Sequence, residues 1–301
     1  MNALEQLRSI LYLLSTYLPG HLVQEKMNHP VPGIVKGQVI SGSLLFSDVS
    51  GFTALSEKLE TLGPQGAERM TQLMNDYFTT MLEILSWSGG VLIKFAGDAM
   101  LVYFPAQENN SQSEWAVRAG LRMLRAMPAF SEIPTPSGKV ALKMKIGVAT
   151  GEFLAASVGD VDRMEYVILG DPVTQTMNAE GNAVAGQLVA DEETVNNLSD
   201  KFSTQEIKKG FFLAEYPDNK LDDFELRAER RRARGAVPWS ANQEDIQAQM
   251  EIALKQIEAL RPFLASELVA RSVANVALKA NSVQQPSCSV ISSALNPYCA
   301  F

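Results

Sequence analysis

The sequence predicts an α+β fold on the ferredoxin-like, split βαβ plan, and three features of its 301 residues predict it. The first is the order of hydrophobic periods. A strand-like run at 43–48 and a helical stretch precede two short apolar runs, 91–95 and 99–104; a helix over 113–127 and a strand at 142–149 complete the split βαβ order. The second is the stripe Met70, Leu73, Met74, Tyr77, Phe78, Met81, Leu82 and Leu85, whose three- and four-residue steps make Pro64–Trp87 one long amphipathic helix. The third is a pair of lone carboxylates, Asp48 and Asp98, each at the end or turn of an apolar run and 50 residues apart.

Each element has its own signal. Leu4, Leu7, Leu11, Leu14, Leu18 and Leu22 keep helical spacing over 2–28, interrupted at Pro19-Gly20. Pro30, Pro32, Gly33, Gly37 and Gly42 make 29–42 a connector. Strand 43–48 turns at Ser50-Gly51 into a helix opened by Phe52, with Thr53 as its N-cap. Gly89-Gly90 ends the long helix, and Ala96-Gly97-Asp98 is a tight hairpin between the next two runs. Trp115, Val117, Leu121 and Leu124 face inward from 113–127, and the Pro- and Ser-rich 128–138 is a loop.

Strand 142–149 alternates Leu142, Met144, Ile146 and Val148 against Lys143 and Lys145, and a second run, 153–158, follows Gly151. Tyr166–Leu169 is a short strand, 173–183 a helix, 187–190 a strand, and a further helix begins at 191. Beyond 200 the composition changes. Five arginines crowd 227–234, helical spacing runs from 243 to 277, and Pro262 kinks or splits that helix. Residues 280–301 carry no charged side chain.

Apolar content of 46% and charged content of 20% describe a globular chain long enough for an ample core. A net charge of −8 excludes a sequence-independent grip on nucleic acid, which needs a basic surface. The apolar run at 10–14 is too short for a membrane span. Cys288 and Cys299, the two cysteines, form no disulfide framework and suit a reducing, cytoplasmic setting.

A carboxylate that stops or interrupts a buried strand is costly unless a cation lies against it. Two at adjoining strand ends make an oxygen-rich site of the kind Mg²⁺ prefers, one or two carboxylates completed by substrate phosphates. Asp48 could instead cap the helix after it, and Asp98 could be a simple turn residue. An internal echo stands apart from this. Leu11, Leu14, Tyr17, Leu18, Leu22 and Val23 recur as Ile257, Leu260, Phe263, Leu264, Leu268 and Val269 at a constant shift of 246 residues. The helix before the Asp48 strand thus has a likeness near the C-terminus, as though a second copy of the domain were about to begin; chance similarity of two amphipathic helices is the alternative.

Phe46-Ser-Asp-Val-Ser-Gly-Phe-Thr53 and Gly89-Gly-Val-Leu-Ile-Lys-Phe-Ala-Gly-Asp-Ala-Met100 resemble the signatures of the class III nucleotidyl cyclase catalytic domain. Lys145–Gly151 and Glu165–Val173 add two weaker matches, so the resemblance covers roughly 40–200 and is nearest to the first catalytic half of bicarbonate-responsive soluble adenylyl cyclases. It implies a ferredoxin-like cyclase domain with flanking N- and C-terminal helices, and conversion of ATP to cyclic AMP and pyrophosphate. It also implies two Mg²⁺ or Mn²⁺ ions held by Asp48, Asp98 and the main chain of Val49, with substrate contacts from Ser50, Gly51, Phe52, Thr53, Lys94 and Gly97.

Departures from the family pattern are as informative. The family's adenine pair is a hairpin lysine, here Lys94, and an Asp or Thr after the strand tyrosine, where Val167 stands. Its transition-state Asn and Arg fall at Thr174 and Asn178, and the arginine that joins the lysine in bicarbonate binding falls at Met177. The resemblance therefore implies a metal-binding half that works with a complementary cyclase half. A catalytically incomplete regulatory or nucleotide-binding module is the alternative. A diguanylate cyclase is disfavoured because Val91-Leu92, not acidic residues, follow Gly89-Gly90.

The expected domains are a helix and connector over 1–40, the catalytic domain over 41–200 and a subdomain with an Arg-rich linker over 201–242. A helix leading toward a second half follows over 243–280, and then a disordered tail over 281–301.

Overall fold

Asn2 opens the chain with a capping box: its side chain accepts from Glu5 N at 2.8 Å, while Glu5 accepts from Asn2 N at 2.9 Å. That cap starts α1 (Ala3–Ser15), and Pro19 precedes α2 (Gly20–Asn28). Then come β1 (Lys36–Ser50), α3 (Phe52–Glu60), α4 (Pro64–Trp87), β2 (Val91–Ala96), β3 (Ala99–Pro105) and α5 (Ser111–Ala126). A small hairpin, β4 (Ile133–Thr135) and β5 (Gly138–Val140), leads to β6 (Lys143–Gly159), β7 (Met164–Leu169) and α6 (Asp171–Asn182). β8 (Leu188–Asp191), α7 (Glu192–Asn196), β9 (Ser203–Lys208) and β10 (Phe211–Glu215) follow, and α8 (Ile246–Leu260) and α9 (Ser266–Asn281) come last. This computed structural model describes residues 2–108, 111–216 and 246–281. The arginine run 227–234, both cysteines and the uncharged tail beyond 281 lie outside the described residues.

The chain divides into two compact units. Gln38–Ala155 with Ile168–Gly235 form the larger, and Met1–Gly37, Ala156–Val167 and Ala236–Phe301 the smaller. The sheet runs in the order β2-β3-β1-β6-β8-β10-β9, with β7 beside β6. Its first four members, β2-β3-β1-β6, keep the spatial order the split βαβ plan demands. β3 pairs antiparallel with both β1 and β2, and β6 with β8 runs parallel.

In the larger unit a core of Leu45, Val49, Phe52, Leu55, Tyr77, Met81, Phe104, Met123 and Ile146 lies where α3, α4 and α5 meet the sheet. Gly120 lets α5 come close: a Cβ there would meet Leu188 and stand 3.3 Å from Ile146 Cγ2. A chain of buried hydroxyls crosses the same region. Thr150 Oγ1 bonds Ser43 Oγ at 2.7 Å, Ser113 Oγ at 3.1 Å and Thr194 Oγ1 at 2.8 Å.

Four sequence expectations are corrected. The connector 29–42 is shorter than expected, because β1 starts at Lys36: its first residues are all exposed and show no burial alternation, and Ser41 O accepts from Tyr103 Oη and Ala106 N. The loop 128–138 contains a 3₁₀ turn (Met127–Phe130) and the β4–β5 hairpin. Runs 142–149 and 153–158 are one strand, since Gly151 serves the approach of Pro172, whose Cγ would lie 2.8 Å from a Cβ, rather than a break. The sheet also passes residue 200, for β10 pairs with β8 and carries β9 outside it.

The smaller unit joins two helical hairpins. Leu7, Ile10, Leu11 and Leu14 of α1 pack with Ala253, Ile257 and Leu260 of α8 and Val269 and Val276 of α9. Pro262 splits the C-terminal helix as expected, at a 3₁₀ turn over Arg261–Phe263. The echo extends to the backbone. α2 begins at Gly20 and α9 at Ser266, the same shift of 246. Leu18 N donates to Ser15 O and Val23 N to Pro19 O; at that shift Leu264 N donates to Arg261 O and Val269 N to Ala265 O. Leu11 and Leu14 are fully buried, as are their counterparts Ile257 and Leu260.

Candidate active site

The β1–β3 register brings the two aspartates to one end of the sheet. Ser47 pairs with Met100, so Asp48 stands at the last turn of β1 beside Ala99, next to the β2–β3 hairpin that bears Asp98. Gly97 takes φ 68° in that hairpin, a left-handed conformation that puts Asp98 at the tip at no steric cost. Both carboxylates are half-buried. Asp98 makes no hydrogen bond or ion pair among the described residues.

Asp48 has one cation near it. Lys145 Nζ, on β6, lies 4.0 Å from Asp48 Oδ2 and 2.6 Å from Glu180 Oε1 on α6. The stronger contact is therefore with Glu180, although Glu180 Oε1 lies off the axis of a hydrogen bond and the contact is one of charge. Gly147 makes this arrangement possible, because a Cβ there would collide with Thr176 O and Glu180 N, so α6 rests directly on β6.

Tyr77 of α4 belongs to the same core as Val49 and Phe52. Its side chain is fully buried, with its ring edge-on to Phe52 at 5.5 Å and to Phe130 at 5.6 Å. Burial pushes the phenol well above the ordinary tyrosine range, and the charges of Asp98 and then Asp48 push it further. Both negative charges thus disfavour the phenolate form.

The turn after β1 is built on Gly51. It takes φ 112°, and a Cβ there would lie 2.7 Å from Ala141 O, so glycine is required on both counts. Gly51 also occupies the N-cap of α3, with Leu55 N donating to Gly51 O at 2.9 Å. Thr53 is therefore not the cap. It is exposed within the first turn, whose leading amides have no intrahelical acceptor and are suited to an anion. Ser50 Oγ donates to Lys143 O at 3.5 Å, Phe52 is core, and Val49 buries its side chain.

The remaining expected positions are less concentrated. Lys94 is exposed on β2 at a bulge after Leu92. Val167 is half-buried in β7. Thr174, Met177 and Asn178 share one exposed face of α6, while Pro172, Thr176, Ala179 and Glu180 face inward.

The donor set fits a hard divalent cation only in part. Among the described residues no three of His, Cys, Asp and Glu cluster to hold one. Two carboxylates and a main-chain carbonyl are what remain, which suits Mg²⁺ or Mn²⁺ completed by phosphate oxygens rather than a cage closed by protein. Sequence reasoning missed Lys145, Glu180 and Tyr77 as parts of the site. Lys145 did carry a signal, a cation inside the Lys145–Gly151 match; Tyr77 read as one more residue of an apolar stripe, and Glu180 was not singled out within the 173–183 helix.

Comparison with known proteins gives the family. The family model described as "Adenylate and Guanylate cyclase catalytic domain" matches residues 35–215, the span of the sheet from β1 to β10. Adenylate cyclase type 10 of Mus musculus is 25% identical over 178 residues, 58% of this chain and 11% of that protein. Adenylate cyclase 1 of Rhizobium meliloti is 24% identical over 181 residues, 60% of this chain and 26% of that protein. The chain thus spans between a tenth and about a quarter of the length of these relatives. The adenylyl cyclase CyaB from P. aeruginosa superposes with a TM-score of 0.52 at 28% identity, covering 61% of this chain and 98% of that one. No helix among the described residues is long and apolar enough to cross a membrane. With a family match over more than half its length, the chain belongs to the class III adenylate and guanylate cyclase catalytic domain family.

Proposed function

We propose that this chain is the metal-binding half of an adenylate cyclase, converting ATP to 3′,5′-cyclic AMP and pyrophosphate together with a complementary cyclase half. The observation that carries the reading is the pairing of Asp48 and Asp98 at one sheet end, with the Gly51 turn and its free amides beside them. Two Mg²⁺ or Mn²⁺ ions bound there would neutralise the triphosphate and lower the pKa of the ribose 3′-hydroxyl. Asp48, Asp98 and the Val49 carbonyl hold them. The amides of Phe52 and Thr53 face the phosphates. A bond forms between the 3′-oxygen and the α-phosphorus as the bond to the pyrophosphate oxygen breaks, and the hydroxyl proton leaves with solvent.

What this half lacks argues for the partner. Thr174 and Asn178 stand exposed on α6 where the family carries Asn and Arg, and Val167 offers adenine no hydrogen bond. Losing a transition-state donor typically costs about 10²–10³ in rate. The matched α1–α2 and α8–α9 hairpins support a second domain led by α8–α9, as α1–α2 leads the first.

The test is turnover with Mn²⁺ and ATP, alone and with an added half that supplies lysine, Thr or Asp, Asn and Arg. Turnover should appear only with the added half and vanish in Asp48→Ala and Asp98→Ala; unchanged turnover in either variant would sink the reading. The same α6 substitutions favour a second reading, a regulatory module that binds nucleotide without converting it. ATP·Mn binding with no cyclic product from any added half would establish that instead.

A further inference from the structure

Tyr77 has a hydroxyl with no use in the fold. The side chain is fully buried, and its Oη finds no hydrogen-bond partner. A buried polar group without a partner is rare in a folded protein and calls for an explanation. Phenylalanine would fill the same space against Phe52, Phe78 and Phe130 without that cost.

Position supplies the explanation. Tyr77 leans on Phe52, four residues after Asp48. Its neighbour Phe78 stacks edge-on against Phe95 at 5.0 Å, three residues before Asp98. Tyr77 thus touches the segment after Asp48 directly, and its chain neighbour Phe78 touches the segment before Asp98. Asp98, meanwhile, has no hydrogen bond or ion pair among the described residues. An orphan donor and an acceptor without a donor sit at the same end of the sheet. A phenol hydroxyl carries one hydrogen to donate, and an ionised carboxylate can only accept.

We propose that Tyr77 is a positioning residue for the metal site, its hydroxyl donating to the Asp98 carboxylate and fixing which oxygen faces a bound divalent cation. This rests on the reading that Asp48 and Asp98 take such a cation. Partners of this kind orient a ligating carboxylate, and their loss typically lowers metal affinity by about 10–100-fold. The acidic pair in the sequence marks the site; the buried hydroxyl beneath it makes one of the two ligands rigid.

The experiment measures Mn²⁺ affinity by electron paramagnetic resonance on the full chain with a non-cyclisable ATP analogue, for wild type, Tyr77→Phe and Asp98→Asn. Thermal unfolding without metal accompanies it. Tyr77→Phe keeps the ring packing and should melt at or above wild type without metal, yet bind Mn²⁺ about tenfold more weakly. Unchanged affinity in Tyr77→Phe, with affinity lost in Asp98→Asn, overturns the role of Tyr77 and leaves the metal reading standing. Unchanged affinity in both overturns the metal reading as well. If Tyr77→Phe melts well below wild type and Mn²⁺ affinity falls only in step with the folded fraction, the hydroxyl is structural and the proposal fails.

Discussion

Lys145 Nζ stands 2.6 Å from Glu180 Oε1, joining β6 to α6 at the point where Asp48 leaves the sheet. Glu180 is the more buried partner, with a side-chain exposure of 11% against 33% for Lys145. The two deletions should therefore differ. Removing the lysine strands a buried carboxylate, which costs about 3–5 kcal/mol when burial is complete. The partial exposure of Lys145 brings that to about 1–2 kcal/mol. Glu180→Gln removes the charge but leaves a polar oxygen of the same shape beside the lysine, at a cost of about 0.5–1 kcal/mol. Urea unfolding should rank Lys145→Ala below Glu180→Gln, with equal slopes. The reverse order would mean that the pair adds nothing and that Lys145 is held elsewhere.

Asp191 is expected to make stability depend on pH. Its carboxylate caps α7, accepting from Thr194 N at 2.9 Å and from Thr150 N at 3.3 Å, yet burial pushes its pKa above the usual 3.8. Burial outweighs the hydrogen bonds. With the folded value raised, the native state holds the proton more tightly than the unfolded chain. The stabilisation is present below the unfolded value near 3.8 and is lost as pH rises through the folded one. Asp191→Asn, which keeps the acceptor without the charge, should therefore gain on wild type as pH rises from about 4 to 7. Unfolding free energies at both ends check this; a difference that stays constant with pH would show that the carboxyl is not shifted.

How far the sequence alone reached depends on what kind of signal each residue carried. Pro64–Trp87 was legible to the residue because its apolar stripe and Gly89 are both local signals. The Asp48 and Asp98 motifs were legible for the same reason, each being a short run that ends a strand. Where a contact made over distance decides, the sequence was silent. Nothing in 36–42 announces a strand, since 36–39 are exposed without alternation and Ser41 takes its partners from distant Tyr103 and Ala106. Thr53 looked like a cap because residue type favours it, but the φ of Gly51 moved the cap two residues back. Lys145 and Glu180 lie 35 residues apart on a strand and a helix, and only Gly147 brings them together.

The buried hydroxyl chain should behave as a unit. Thr150 Oγ1 is its hub, bonded to Ser43, Ser113 and Thr194. Thr150→Val preserves shape but leaves three hydroxyls short of a partner, in a setting where each such loss costs about 1–3 kcal/mol. Ser43 and Ser113 keep their mutual bond at 3.2 Å, so the total should stay near the single-group figure, about 2–3 kcal/mol. Adding Ser43→Ala should then cost less than it does in wild type. Full additivity of the two substitutions would mean that the hydroxyls act independently.

Gly147→Ala tests whether close packing of α6 sets the geometry at Asp48. The added Cβ meets Thr176 O and Glu180 N, which are backbone atoms of a helix and cannot turn aside as a side chain would. α6 must lift from β6, at the cost of an overpacked core, about 1–3 kcal/mol. Lifting α6 also carries Glu180 away from Lys145, so part of the loss should be the ion pair itself. A double-mutant cycle separates the two. Glu180→Gln should cost about 0.5–1 kcal/mol in wild type and close to nothing in the Gly147→Ala background, a coupling within the range of residues in contact. If Glu180→Gln costs the same in both backgrounds, the helix accommodates the methyl by some other movement, and the approach at Gly147 does not position Lys145 beside Asp48.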